Sequence, residues 1–119
     1  MKLIIAIIRR ERLDAVQNEL RAVLDEGDSY RITVHHVEGR GQQYREPEYF
    51  RGQPVQNRLI PKLHLTIAVN DQYVAPTIDA ITKGARTDGP GAVGDGKIFV
   101  LPLEDCIRIR TGERGGKAI

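Results

Sequence analysis

The 119-residue sequence has one cysteine, no tryptophan and six other aromatic residues, and each shortage restricts what the protein can be. Cys106 has no second cysteine to pair with, so an internal disulfide is excluded and a reducing compartment, the cytoplasm, is expected. Two phenylalanines and four tyrosines offer few surfaces on which RNA bases could stack. Because the net charge is only +2 and the Lys and Arg residues are spread along the chain, no nucleic-acid partner is expected.

Long hydrophobic runs are also missing. The apolar run at residues 3–8 has six residues, which is too short for the core of a signal peptide or for a membrane span. It instead predicts a buried first strand and again favours the cytoplasm. The length predicts a single domain, and 40% hydrophobic residues are enough for a core.

Apolar residues recur with the two-residue period of strands in some segments and with the 3.6-residue period of helices in others. Together these segments predict the element order βαββαβ. Strands are predicted at 3–8, from 32 onward, at 63–69 and at 98–103, with a possible short fifth strand at 106–110. Helical spacing predicts two amphipathic helices, whose apolar faces carry Leu13, Val16, Leu20, Val23 and Leu24 in the first and Val74, Ile78 and Ile81 in the second. Two βαβ halves in tandem are typical of an α+β, ferredoxin-like sheet with both helices on one face. The other face needs a partner, so an oligomer is expected.

Two segments have no hydrophobic period. Residues 39–58 hold three Gly, two Pro and four Arg, and a loop of this length in so small a domain is usually functional. The final residues, GERGGKAI, are predicted to be loose.

A glycine-rich segment before the last predicted strand is the clearest motif. From Gly91 to Lys97 it has the glycine and lysine spacing of a phosphate-binding P-loop. A P-loop continues with Ser or Thr and a helix, whereas here Ile98 begins a strand. Taken alone, the segment is either a phosphate-binding loop of another kind or a plain turn.

Further motifs give the chain a resemblance to the PII signal-transduction proteins. The stretch GDGKIFVLPLEDCIRIRTGE at 94–113 resembles that family, as do AII at 6–8 and LIPK at 59–62, and residues 39–58 lie where the PII T-loop lies. The resemblance implies a single ferredoxin-like domain that assembles as a homotrimer. It also implies adenine nucleotide, ATP or ADP/AMP, in the clefts between subunits, with Mg²⁺ possible alongside ATP. Hydrolysis is expected to be slow or absent and the protein not to be an enzyme, because Ile98 rather than Ser or Thr follows Lys97 and no residue is an obvious activator of water.

The resemblance assigns the nucleotide site residue by residue. Residues 87–97 would be the phosphate-binding loop and residues 108–119 the C-terminal segment, from which Arg108 and Arg110 would reach in from the neighbouring subunit. The implied nucleotide contacts are Ile7, Thr33, Gly41, Gln42, Gln43, Lys62, Gly94, Asp95, Gly96, Lys97, Arg108 and Arg110. Glycines allow close backbone approach to phosphate oxygens, and Lys97 adds a positive charge. Arg108 and Arg110, if they alternate along a strand, would point to one face and could hold phosphates.

The effector and the target protein are left open by the resemblance. Gln43, or its neighbour Gln42, and Lys62 match family positions that bind 2-oxoglutarate, whereas divergent family members sense bicarbonate. Tyr44, Tyr49, Phe50 and Arg51 are the expected contacts with a transporter or enzyme target. Phe50 stands where many relatives have a modifiable Tyr, so that modification cannot occur at this position. The phosphate-binding loop is about three residues longer than usual, and Ala92 or a neighbour replaces a family lysine.

Two functions from other classes remain open. A small ATPase would need a general base beside Lys97, and Asp95 is the only close carboxylate. A purely structural trimer would bind no nucleotide. No metal site is predicted, because His35 and His36 point to opposite faces of a strand and only His64 could join one of them.

Overall fold

A four-stranded antiparallel sheet in the order β2-β5-β1-β6 organises the chain. The structure is a computed structural model that describes residues 1–24, 31–41, 48–55 and 59–119. Its elements are β1 (Lys2–Ile8), α1 (Leu13–Val23), β2 (Ile32–Gly39), β3 (Glu48–Phe50), β4 (Gln53–Val55), β5 (Ile60–Val69), α2 (Val74–Ala85) and β6 (Gly96–Pro102). Apart from the short β3 and β4, the order is βαββαβ, and the ferredoxin-like prediction is confirmed.

Both helices cover the same face of this sheet. Side chains in β1 alternate, so that Ile4, Ala6 and Ile8 are buried while their neighbours are half-buried. The buried residues pack with Val16 of α1 and Ile81 of α2 in one hydrophobic cluster. None of the helices in the described ranges is long and apolar enough to cross a membrane.

The opposite, open face of the sheet consists of rows of residues that are paired across the strands. One row contains His35, His64, Ile7 and Lys97, in the order β2, β5, β1 and β6. On the strand β6, Phe99 is 49% exposed and Leu101 is 41% exposed. The open face is therefore partly apolar and carries a lysine and two histidines.

The prediction of an irregular loop at 39–58 was partly wrong, because β3 and β4 form a hairpin within it. Arg51 and Gly52 have φ angles of 52° and 77°, and they join Phe50 to its ladder partner Gln53. Two consecutive positive φ angles are typical of the turn that matches the twist of a tight hairpin. Residues 42–47 and 56–58 lie outside the described ranges.

Two predictions for the C-terminal segment were wrong. Residues 106–110 form no strand, since one isolated bridge joins Ile107 to Arg114. The backbone instead turns, with Gly112 N donating to Arg108 O at 2.8 Å. The final residues are also tied down, because the amide of Asn70 donates to Gly116 O at 3.2 Å and a 3-10 turn covers Gly115–Ala118.

The two helices meet most closely at Gly84. A Cβ atom at this position would lie 2.6 Å from Cα and 2.8 Å from N of Val16. Alanine normally stabilises a helix by about 1 kcal/mol relative to glycine. In this contact we expect Gly84→Ala to lower the free energy of unfolding by about 2 kcal/mol, because the helices must separate.

Urea unfolding at fixed protein concentration would measure this loss. Lys83→Ala is the matched control, because its side chain is 75% exposed and the change is made in the same helical turn. A Gly84→Ala protein as stable as the wild type would show that the helices can move apart without cost.

Candidate functional site

The glycine-rich connection from α2 to β6 is organised around the carboxylate of Asp95. One oxygen, Oδ1, accepts hydrogen bonds from Arg9 Nε at 3.0 Å and from Thr87 Oγ1 at 3.1 Å. The other, Oδ2, accepts from the backbone N–H groups of Thr87 at 3.0 Å and Ala92 at 2.9 Å. Asp95 therefore holds both ends of the connection in place.

The surroundings of Asp95 strongly favour its ionised form. Partial burial works against the charge, since the side chain is only 18% exposed. The hydrogen bonds from Ala92, Thr87 and Arg9 outweigh this burial and lower the pKa of Asp95 from 3.8 to about 2. The carboxylate is thus a fixed negative charge that is occupied by its own loop.

Two cationic side chains attach this connection to the sheet. Arg9, directly after β1, donates from Nη2 to Val93 O at 2.9 Å in addition to its ion pair with Asp95. Lys62, near the start of β5, donates from Nζ to Gly94 O at 2.5 Å. Since Lys62 is four residues beyond the undescribed segment 56–58, the contact links the glycine-rich connection to the strand that follows this segment.

An open cleft of about 290 Å³ lies beside this connection. The antiparallel ladder pairs Ile7 with Lys97 and Ile8 with Gly96, and all four residues line the cleft. The side chain of Lys97 is exposed, and no ion pair or hydrogen bond of its ammonium occurs within the described part of the chain. The cleft thus combines apolar isoleucines with the available cation of Lys97.

The predicted site residues fall into two groups by position. Ile7, Asp95, Gly96 and Lys97 line the cleft, and Lys62 and Gly94 bond to each other at its loop. Thr33 lies on the edge strand β2, with β5 and β1 between it and β6.

Arg108 and Arg110 do not line this cleft. Arg108 lies in the C-terminal turn, where it pairs with Glu113 at 3.1 Å and donates to Lys117 O at 3.1 Å. Arg110 is exposed in the same turn. Since the segment is not a strand, the predicted alternation of the two arginines was wrong.

The T-loop predictions are largely beyond what the structure describes. Gln42, Gln43 and Tyr44 lie outside the described residues, and Gly41 is an exposed residue at the edge of a described range. Tyr49 and Phe50 lie in β3, and Arg51 lies in the turn after it. The roles of these residues remain predictions.

Sequence reasoning missed Arg9 and Arg86, and it placed Thr87 in the loop 87–97 without assigning it a contact. Arg9 and Thr87 hold Asp95, and Arg86 lines the cleft. The sequence contains a partial signal for Arg9, because this residue directly follows the first strand. If the first and last strands are antiparallel neighbours, the end of the first strand lies beside the start of the last strand. Without the strand order, however, nothing linked residues 86 positions apart.

The arrangement is suited to binding an anion rather than to cleaving a bond. Lys97 and Arg86 supply positive charge at the cleft, and glycines at its loop permit close approach of a ligand to the backbone. Both oxygens of Asp95 already accept hydrogen bonds, so this carboxylate is poorly placed to activate water.

Comparison with known proteins gives matches along the whole chain. A family profile described as nitrogen regulatory protein P-II matches residues 1–113. The chain is 49% identical over 119 residues to nitrogen regulatory protein GlnK1 of Methanosarcina mazei, covering all of this chain and 97% of that protein. It is 42% identical over 119 residues to nitrogen regulatory protein P-II of Azospirillum brasilense, with complete coverage of both.

Proposed function

Because the chain belongs to the P-II family of nitrogen regulatory proteins, we propose that it is a trimeric regulator that binds adenine nucleotide between subunits. In this proposal ATP or ADP/AMP places its phosphates at Gly94–Lys97 of one subunit. Arg108 and Arg110 of the neighbouring subunit complete the site. Nucleotide and a small anionic effector then determine whether the T-loop region binds a transporter or a metabolic enzyme.

The observation that best supports this proposal is the preorganised loop beside a cleft with an available lysine. Asp95, Arg9 and Lys62 fix the loop before any ligand arrives, so little ordering would be needed on binding. Arg108 does not line this cleft within one chain, which agrees with a site shared between chains. The exposed apolar residues of β6 and the open sheet face supply surface for the association.

Lys62 supports a connection between the nucleotide site and the target-binding region. Its side chain is 9% exposed and reaches the phosphate-binding loop from the strand that follows residues 56–58. A ligand that shifts Gly94 would therefore act on the base of the T-loop region. Such a ligand changes the conformation of the T-loop region only if it binds with different affinities to the alternative conformations of that region.

The nucleotide site predicts the effects of two substitutions. Lys97→Ala and Arg108→Ala should each weaken ATP or ADP binding about tenfold or more, since each removes charge-assisted contacts with phosphate. Isothermal titration calorimetry would measure the change. Lys2→Ala is a control at the other end of β1, and Glu113→Gln removes the ion-pair partner of Arg108 but keeps the arginine.

Mixed assemblies can test whether the site is shared. If Lys97 and Arg108 of one site come from different subunits, trimers of either single variant contain no intact site. When the Lys97→Ala and Arg108→Ala chains are co-assembled at random, about a quarter of the sites should combine an intact Lys97 with an intact Arg108. No recovery in trimers shown by mass to contain both chains would place both residues in one subunit's site. Unchanged affinity in both single variants would reject the assignment altogether.

The same titrations distinguish the effectors and the enzymatic alternative. Binding of 2-oxoglutarate only alongside Mg-ATP would identify a nitrogen and carbon sensor. A response of ADP or AMP binding to bicarbonate instead would identify an inorganic-carbon sensor. Turnover of ATP above about one per second would support an ATPase.

A further inference from the structure

Two histidines face each other on the open face of the sheet, outside the nucleotide cleft. His35 of β2 and His64 of β5 are direct partners in the antiparallel ladder. Their ring centroids are 5.8 Å apart, and the ring planes are tilted by 53°. Side chains that are directly opposite on one face have Cβ atoms about 5 Å apart, so both imidazoles cover the same part of the sheet.

One nitrogen of this pair has an unused bonding capacity. His64 Nε2 is buried, and no hydrogen-bond partner reaches it within the described residues. Buried imidazole nitrogens normally have a partner. The residues beside His64 across its two ladders are His35 and Ile7, and of these only His35 could share a ligand with it.

We propose that His35 and His64 form a binding site for a divalent transition-metal ion such as Cu²⁺, Ni²⁺ or Zn²⁺. A metal bound to imidazole nitrogen at about 2.1 Å lies about 3.2 Å from the ring centroid. When the nitrogen–metal–nitrogen angle is near tetrahedral or slightly wider, the centroids of the two rings are therefore about 5–6 Å apart. The observed separation of 5.8 Å lies in this range.

The chemistry of the pair selects the class of metal. Neutral imidazoles suit Cu²⁺, Ni²⁺ and Zn²⁺, with Cu²⁺ bound most tightly, whereas Mg²⁺ requires oxygen ligands. Within the described ranges no group of three or more His, Cys, Asp or Glu is placed to hold a metal ion. The two histidines are therefore the protein ligands that the described residues supply, and the site differs from any Mg²⁺ that accompanies a nucleotide.

Calorimetric titration of the full-length, nucleotide-free protein with NiCl₂ tests the proposal. The wild type should show saturable binding that excess MgCl₂ leaves unchanged. His35→Ala and His64→Gln should each weaken this binding at least about tenfold, because each removes one of two ligands. His36→Ala is the matched control, since the adjacent residue points to the other face of β2.

Electron paramagnetic resonance with one equivalent of CuCl₂ provides a structural readout. Nitrogen couplings from two imidazoles are expected in the wild type and in His36→Ala, and fewer in the other two variants. Urea unfolding would establish that the variants remain folded. Absence of Ni²⁺ binding, equal weakening by His36→Ala, or unchanged binding in a His35→Ala/His64→Gln protein would overturn the proposal.

Discussion

Replacing Gly96 with alanine is expected to lower the free energy of unfolding by about 4 kcal/mol or more. A Cβ atom at this position would lie 1.7 Å from the carbonyl oxygen of Ile7, where β1 and β6 form their ladder. Gly96 also has a φ of +117°, which side-chain-bearing residues rarely adopt. The strands would have to separate at the point where the glycine-rich connection enters the sheet.

The variant Gly89→Ala separates the two contributions to this loss of stability, which are the steric clash of the new Cβ atom and the strain of a positive φ angle. Gly89 lies in the same connection with a φ of +72°, and a Cβ atom there would meet nothing within 4 Å. Only backbone strain of about 1 kcal/mol is expected. Chemical denaturation of both variants at equal protein concentration gives the comparison. Equal losses would show that the steric contact with Ile7 relaxes without cost.

Asp95→Asn is expected to remove about 2–4 kcal/mol of stability at pH 7, because it breaks the ion pair with Arg9 and places an amide among hydrogen-bond donors. The folded-state pKa of Asp95, about 2, is below the usual 3.8. Its ionisation therefore stabilises the fold above pH 4. This contribution, about 2 kcal/mol, is lost as the pH falls from about 4 to 2.

Urea unfolding between pH 7 and pH 2 would test this dependence as a difference between the wild type and Asp95→Asn. The difference is needed because other carboxylates titrate in the same range. A hydrogen bond from Arg114 is the main reason that the pKa of Asp105 is also lowered. The difference should shrink below pH 4. Asp79→Asn, at an exposed position of α2, serves as the control. Parallel curves for the wild type and Asp95→Asn would contradict the assigned role.

Local patterns predicted most of the fold because most of its elements have a clear hydrophobic period. Alternation in β5 and the helical spacing of Val16 and Leu20 correspond to faces that the structure buries. The hairpin at 48–55 was missed because its two strands have three residues each, too few to show a period.

The C-terminal segment misled sequence reasoning for a physical reason. Ile107 and Ile109 alternate with polar residues, yet they are 52% and 100% exposed. Asp105 instead accepts hydrogen bonds from the backbone N–H groups of Cys106 and Gly115. Side-chain bonds of this kind compete with a strand ladder and close the chain into a turn.

The candidate site could be located from GDGK, but its internal contacts could not be predicted. Arg9 reaches Asp95 only because β1 and β6 are neighbours in the sheet. The role of Asp95 also differs from a simple ligand contact, since its carboxylate serves the loop itself. Both facts depend on strand register, which a local pattern does not contain.

The edge position of β6 also affects how the protein can misassemble. Phe99, Val100 and Leu101 are consecutive and each more than 40% exposed, on a strand that pairs with β1 along one side. Such a strand can template the addition of a foreign strand, and aggregation starts from edges of this type. Pro102 interrupts the pattern at one end and Lys97 places a charge near the other. Any association that covers β6 therefore also removes the surface from which aggregates would grow.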